Sequence, residues 1–336
     1  MKKVRWGVLG VAGIAVRRVV PGMRQCELCE VTAIASRDLA RAQEAARSLG
    51  IPRAYGSYEE LLRDPDIDVI YNPLPNHLHV EWTIKAAEAG KHVLCEKPFS
   101  MDAAEAQPVI AVRQRTGVKI GEAFMVATAP QWVRVREIVQ SGEIGELRAV
   151  SALFSYNNTD PANIRNIPRY GGGGIMDIGC YPIFTSRFVS GQEPRRVVAM
   201  LERDPVMGTD RLASAILDYP FGQAMFLSST QISPHQFVKF VGTKGRVELE
   251  IPFNTLGDRP MRVIVDDGRD LIGGGRRVEE FGPVDQYAIQ GDAFSKAVTG
   301  QGDIPVTVET AIGNMRVIDA IFKSAATSSW ETVASR

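Results

Sequence analysis

Residues 6–15 read WGVLGVAGIA. The apolar run of residues 4–9 reaches Gly10, small residues follow, and a helix-forming stretch begins. A strand that turns tightly into a helix presents the helix N-terminus, with its unpaired N–H groups and positive dipole end, to whatever binds there. In the G-x-G-x-x-G form of this turn, which seats a dinucleotide pyrophosphate, the three glycines align with Gly10, Ala12 and Ala15. Only the first is a glycine. The alanines are still small, and Gly13 adds freedom between them. We assign Gly10, Ala12, Gly13, Ile14 and Ala15 to a cofactor-phosphate loop.

The residues that follow repeat the alternation. Residues 31–35 are a second apolar run, and Leu39–Leu49 is helix-forming. Residues 69–71 follow the turn-like DPDID, residues 79–89 are helical up to Gly90, and His92–Cys95 is a fifth strand. Ala103–Thr116 is helical and residues 119–124 are strand-like. Strands separated by helices of this length predict a Rossmann-type, doubly wound parallel sheet over residues 1–125. Right-handed crossovers align the carboxyl ends of its strands along one edge, where ligands bind. The second strand ends in SRD, residues 36–38. NAD binders place an acidic residue there for the ribose hydroxyls. Ser36 and Arg37 instead offer a hydroxyl and a guanidinium, which suit a 2′-phosphate. The expected cofactor is NADP in preference to NAD, with Asp38 leaving a ribose contact open.

Beyond residue 125 the texture changes. Pro130–Gln140 reads as a helix, residues 147–156 as a long strand, and NNTDPANIRNIPRY as a polar loop. The glycine run 171–174 opens a helical stretch to residue 189. Alternating runs at 196–201, 212–219, 223–229, 237–241, 246–250 and 261–265 are broken by turn signals such as YPFG and GTKG. They predict an α+β domain over 126–336 with a large, mostly antiparallel open sheet. Helices at about 285–298 and 306–326 close the chain, the last able to pack back on the first domain. GGGRR, 273–277, reads as an exposed loop.

Lys+Arg and Asp+Glu both number 39, so no net field favours nucleic acid or an acidic membrane. The start, MKKVRWGVLG, reads as a first strand and not a signal peptide. No window reaches the roughly 18 apolar residues of a membrane span. Cys26 and Cys29 form one CxxC without a second pair, so no metal is expected and cytoplasmic, reduced thiols are.

HVLCEKPFS, residues 92–100, places Glu96 and Lys97 at the end of the fifth strand, just before Pro98. At that sheet edge Lys97 is a candidate acid/base or electrostatic anchor, and Glu96 a candidate ribose contact. These motifs resemble the family of glucose–fructose oxidoreductase, inositol 2-dehydrogenase and MocA. The resemblance covers nearly the whole chain. Its hallmarks are Glu96-Lys97-Pro98, the loop GVLGVAGIA, and Pro75, Asn76 and His79 after the fourth strand. It implies a cis bond before Pro98. It also implies a cofactor edge that includes Pro73, Pro75, Asn76, His79, Glu96 and Lys97, and a second domain used for assembly as a homodimer or homotetramer. The family places an Asp and, four residues on, a His or Tyr on one helix, here Asp177 and Tyr181. Residues so spaced share a helical face, and Asp177 lies near the favourable end of the dipole. Tyr at that place resembles the branch of NADP-dependent xylose 1-dehydrogenase and dihydrodiol dehydrogenase.

The implied reaction is NADP-dependent hydride transfer to or from a carbinol or carbonyl of a sugar-like substrate. Lys97 and Tyr181 would share the acid/base work, and Asp177 would orient the sugar. Which of Lys97 and Tyr181 is the base stays open. Asn163, Arg165 and Arg169 in the polar loop, with Gln286 and Tyr287, are candidate substrate contacts. Competing readings are a trans-dihydrodiol or dicarbonyl reductase, a redox-neutral NAD-dependent glycosidase and a non-catalytic NADP sensor.

Overall fold

The structure, a computed structural model, describes residues 3–255 and 257–334. Met1 and Lys2, read above with the first strand, lie outside them. The chain divides into two compact units, one of Met1–Thr128 with Val284–Ile312 and the other of Ala129–Pro283 with Gly313–Arg336.

In the first unit, strands β1 (Val4–Leu9), β2 (Cys29–Ala35), β3 (Arg53–Tyr55), β4 (Val69–Asn72), β5 (His92–Cys95) and β6 (Ile120–Glu122) form one parallel sheet. Their order is β3-β2-β1-β4-β5-β6. It reverses between β1 and β4, the kind of point at which open α/β sheets bind ligands. Helices α1 (Val20–Met23), α2 (Leu39–Leu49), α3 (Tyr58–Arg63), α4 (His79–Glu88) and α5 (Ala103–Thr116) connect the strands. Local chemistry sets their ends. Asp38 accepts from the Arg41 N–H at the start of α2, and Gly50 closes it at φ +58°. Asp102 accepts from the Glu105 N–H at the start of α5. Trp6 is fully buried and donates from Nε1 to Ser295 Oγ at 3.2 Å. The sequence reading missed β3 and α3, both too short to show a period.

The second unit begins with α6 (Pro130–Gln140) and centres on β7 (Leu147–Asn157). After β7 come α7 (Cys180–Ser190) and strands β8 (Arg196–Arg203), β9 (Asp210–Tyr219), β10 (Gly222–Ser229), β11 (Gln231–Gly242), β12 (Arg246–Leu249), β13 (Met261–Asp266) and β14 (Arg276–Phe281). With β15 (Glu331–Thr332) they make nine strands ordered β14-β13-β12-β11-β7-β10-β9-β8-β15. β7 and β10 run parallel and the other pairs antiparallel, so the sheet is mixed but mostly antiparallel. Arg276 and Arg277 start β14 and are not loop, which corrects the reading of GGGRR; the loop itself ends at Gly275. The chain returns to the first unit with α8 (Gln286–Val298) and the first residues of α9 (Val308–Thr327).

Alternation along the strands sorts the residues of the second sheet by face. Phe154, Phe226 and Val238 are buried. Trp132 of α6 is fully buried and donates from Nε1 to Pro252 O at 2.7 Å, its ring stacked with Phe253. The opposite face carries Met225, Ile216 and Met200, exposed by 45%, 36% and 79%, along a shallow apolar trough that Phe237 also lines.

The cysteine expectation is corrected. Cys26 and Cys29 are joined as a disulfide, with Cα atoms 5.4 Å apart. The Asp292 carboxylate accepts from the Glu27 and Leu28 N–H groups at 3.0 and 2.8 Å and tightens the turn between them. Gly291 leaves room for the sulfurs, because a Cβ there would stand 2.9 Å from Cys26 Sγ. Among the described residues, these two cysteines with Asp292 are the one cluster with metal-like spacing, and its sulfurs are bonded to each other.

Candidate active site

In the first unit the phosphate loop leaves β1 through Gly10 at φ +89°, a conformation that suits glycine. A Cβ at Gly10 would also approach Leu74 to 3.1 Å and the Tyr58 hydroxyl to 3.5 Å. Helix begins at Gly13 and runs through a π-helical turn, Ala15–Val19, into α1. Ala15 is fully buried, so the third small residue of the motif serves close helix–strand packing.

At the end of β2 the Ser36 hydroxyl is buried and accepts from the Asp38 N–H at 3.2 Å. Asp38 itself caps α2. Arg37 is exposed and its guanidinium lies near the Tyr58 hydroxyl, while Arg41 Nη2 donates to Val11 O of the phosphate loop at 3.3 Å. Two guanidiniums and a tyrosine therefore gather beside the loop. Arg41 and Tyr58 escaped the sequence reading, since nothing local ties residue 58 to residue 10.

The exits of β4 and β5 are knitted together. Asn72 donates to His79 O at 3.1 Å and accepts from the Leu74 N–H at 3.3 Å. Pro73 is buried, whereas Pro75 and Asn76 are half-buried. His79 is buried, with Nδ1 2.8 Å from Pro98 O and Nε2 2.6 Å from Leu74 O. Burial lowers its pKa to about 4, against the two carbonyls, which favour the charged ring. His79 thus spends its ring on the backbone of both loops, and any part it has in cofactor binding passes through the loops it ties. The Lys97–Pro98 bond is cis, as the resemblance implied. Tyr71 donates to Glu96 Oε1 at 2.6 Å, and Lys97 N–H to Glu96 Oε2 at 3.3 Å. Burial, then the Glu96 charge, hold the Tyr71 hydroxyl well above its ordinary range. Tyr287 on α8 feels the charges of Glu96 and Lys97.

In the second unit Asp177 lies in a π-helical turn, Ile175–Gly179, that runs directly into α7 and Tyr181. Tyr156, from the end of β7, donates to Asp177 Oδ2 at 2.6 Å. Arg165 Nε donates to Asp177 Oδ1 at 3.0 Å. The Asp177 charge raises the Arg165 pKa, and Tyr181 lies within its field. Burial, then Asp177, raise Tyr156 far above its ordinary range. Tyr181 is buried, edge-on to Phe154 at 5.4 Å and 5.0 Å from Phe253. Asn163 accepts from the Arg165 N–H at 3.1 Å and so shapes the loop. Arg169 is exposed and lies over the ring of its neighbour Tyr170. The structure thus brings Arg165 and Asp177 together and adds Tyr156, which no local pattern singled out.

Residues 4–124 match the model of an oxidoreductase family with an NAD-binding Rossmann fold, and residues 132–248 match the GFO/IDH/MocA C-terminal domain. The chain belongs to the Gfo/Idh/MocA oxidoreductase family. It is 47% identical to an uncharacterized oxidoreductase of Rhizobium meliloti, over 99% of this chain and 100% of that one. It is 40% identical to D-xylose 1-dehydrogenase (NADP(+)) 2 of Haloferax volcanii, over 96% and 97%. Among solved structures it is similar to KijD10, a 3-ketoreductase of Actinomadura kijaniata, in complex with NADP and TDP-benzene. The TM-score is 0.88 and the identity 30%, over 96% of this chain and 98% of that one. The protein is an NAD(P)-dependent oxidoreductase of this family. The first unit fits a dinucleotide: a glycine-turned helix start for the pyrophosphate, with guanidiniums and hydroxyls beyond it. No helix among the described residues is long and apolar enough to cross a membrane.

Proposed function

We propose that the protein is an NADP-dependent dehydrogenase of an aldose or related cyclic polyol. The observation that carries the reading is the half-buried Asp177 carboxylate, held by Tyr156 and Arg165 four residues before Tyr181. A carboxylate so placed accepts from one hydroxyl of a polyol while a phenol handles the proton of the next. The relative that acts on D-xylose with NADP supports the substrate class.

When bound, the nicotinamide supplies or takes the hydride. The chain's own residues do the rest. Arg37, Ser36 and Arg41 favour the 2′-phosphate through charge-assisted bonds. Glu96, steadied by Tyr71, accepts from a ribose hydroxyl. Tyr181 moves the substrate hydroxyl proton, and the Lys97 ammonium stabilises the negative charge that develops on that oxygen. Asp177 orients the sugar by accepting from a neighbouring hydroxyl. The apolar trough of the second sheet supports assembly of the chain as a homodimer or homotetramer, which light scattering of the purified protein tests.

The experiment is near-ultraviolet absorbance of NADPH with purified protein, NADP and a panel of aldoses and dihydrodiols, repeated with NAD. Accumulation of NADPH with one aldose class is the expected result. Turnover of dihydrodiols alone, or NADP binding without turnover of any member, would overturn it.

A further inference from the structure

The glycine run at 171–174 needs a reason, because four glycines in a row weaken the start of any helix. Two of them are explained by what packs against them. A Cβ on Gly172 would lie 2.5 Å from the carbonyl oxygen of Arg165. A Cβ on Gly173, whose φ is +124°, would lie 2.1 Å from Asp210 Oδ1. Asp210 opens β9, distant in sequence, and its side chain is buried. Its Oδ2 accepts from the Ile175 N–H at 2.6 Å, and the Gly174 N–H and its own N–H lie close enough to favour its charge. The first N–H groups of a helix have no intrahelical partners, so a carboxylate from another strand takes their place here. The chain then leads on without a break. Gly173 donates to Arg165 O at 2.8 Å, and Asp177 N–H donates to Gly173 O at 3.0 Å.

We infer that Asp210 is a positioning residue for the reaction: its buried carboxylate fixes the start of the helix that carries Asp177 and Tyr181. This rests on the function proposed above. Asp210 touches no substrate and acts through the helix. Burial raises its carboxyl to about 6, against the Ile175 and Gly174 N–H groups and the Arg203 charge, all of which favour the ionised form. Tyr156, from β7, lies in the field of the same charge. Below that pH the neutral acid turns an O–H toward N–H donors, and the hold on Gly173–Ile175 weakens.

The test uses Asp210→Asn, which keeps size and shape but offers one acceptor oxygen and points an NH2 group at N–H donors. Wild-type kcat is expected to fall as pH drops through about 6, with NADP affinity unchanged. In Asp210→Asn, kcat at pH 8 falls about tenfold or more and the acid limb disappears. Gly173→Ala, which pushes against the same carboxylate, gives the same loss of kcat. Hydrogen-exchange protection of residues 174–181 supplies a readout free of turnover, and it falls in both variants. A purely structural role would lower Tm and leave the acid limb in place. An Asp210→Asn protein with unchanged protection, or with wild-type kcat and acid limb, overturns the inference. If the wild type turns over nothing in the panel yet protection is lost on substitution, the proposed function fails while the hold by Asp210 stands.

Discussion

The polar groups of the two units are held in different ways. In the first they stand at strand ends, and their partners are near in sequence or on the adjacent strand: Glu96 takes its bonds from Tyr71 of β4 and from the next residue's N–H, and Ser36 from Asp38. In the second a carboxylate depends on three separate segments. Tyr156 comes from β7, Arg165 from a polar loop, and the helix start beneath them is fixed by Asp210 of β9. A parallel sheet delivers its functional residues by topology, since every strand ends at the same edge. A mostly antiparallel sheet delivers none by topology alone, so its site is assembled from side-chain bonds, each of which is a separate point of failure.

The largest effects are expected where the proposed chemistry is direct. Tyr181→Phe should lower kcat by about 10²- to 10⁴-fold, the usual range for losing an acid/base, and leave NADP affinity unchanged. Lys97→Met should do the same. Steady-state kinetics with fluorescence titration of NADPH measures both. A Tyr181→Phe protein with undiminished turnover removes the phenol from the scheme and makes Lys97 the sole proton handler.

A smaller effect probes the other half. Arg37→Ala removes a charge-assisted bond to the 2′-phosphate, of the kind that contributes about 1.5–3 kcal/mol. Its Kd for NADP should rise roughly 10- to 100-fold, with the Kd for NAD nearly constant. If both change together, Arg37 contributes to the fold of the loop and not to cofactor choice. The comparison then narrows, because the first unit too would depend on a side-chain network, Arg37 with Tyr58 and Arg41.

The same contrast separates what the sequence shows from what only the fold shows. Gly10, Arg37 and Lys97 announce themselves because their chemistry is written within a few residues: a strand end, a glycine or a charge, then a helix or a proline. Asp177 and Tyr181, four residues apart on one helix, came instead from the family resemblance. The π-helical turn that carries Asp177 was not legible. Nor was Tyr156, which is 21 residues from the carboxylate it serves and looks like any aromatic at a strand end. The motif places His79 at the expected cofactor edge, and what it does not show is the pair of carbonyls, of Pro98 and Leu74, that the fold brings to the ring nitrogens. Cys26 and Cys29 were adjacent enough to notice, but the room Gly291 leaves for the sulfurs and the turn Asp292 tightens lie far along the chain.

The most discriminating of the smaller changes is Tyr156→Phe. The ring stays, so packing at the end of β7 is preserved, and only the hydroxyl that donates to Asp177 Oδ2 is lost. Arg165 still holds Oδ1, so the carboxylate keeps one anchor and its charge partner. The expected fall in kcat/KM is about tenfold, the low end for a charge-assisted bond, with Tm nearly constant. Arg165→Lys should give a fall of similar size, because an ammonium can keep the charge but not the planar geometry of the guanidinium. If the two anchors act on one carboxylate, the double variant should lose more or less than the product of the single effects. Strict multiplicativity, measured across the four proteins, would mean that Tyr156 and Arg165 act separately. The second unit would then hold its carboxylate no more collectively than the first unit holds Glu96.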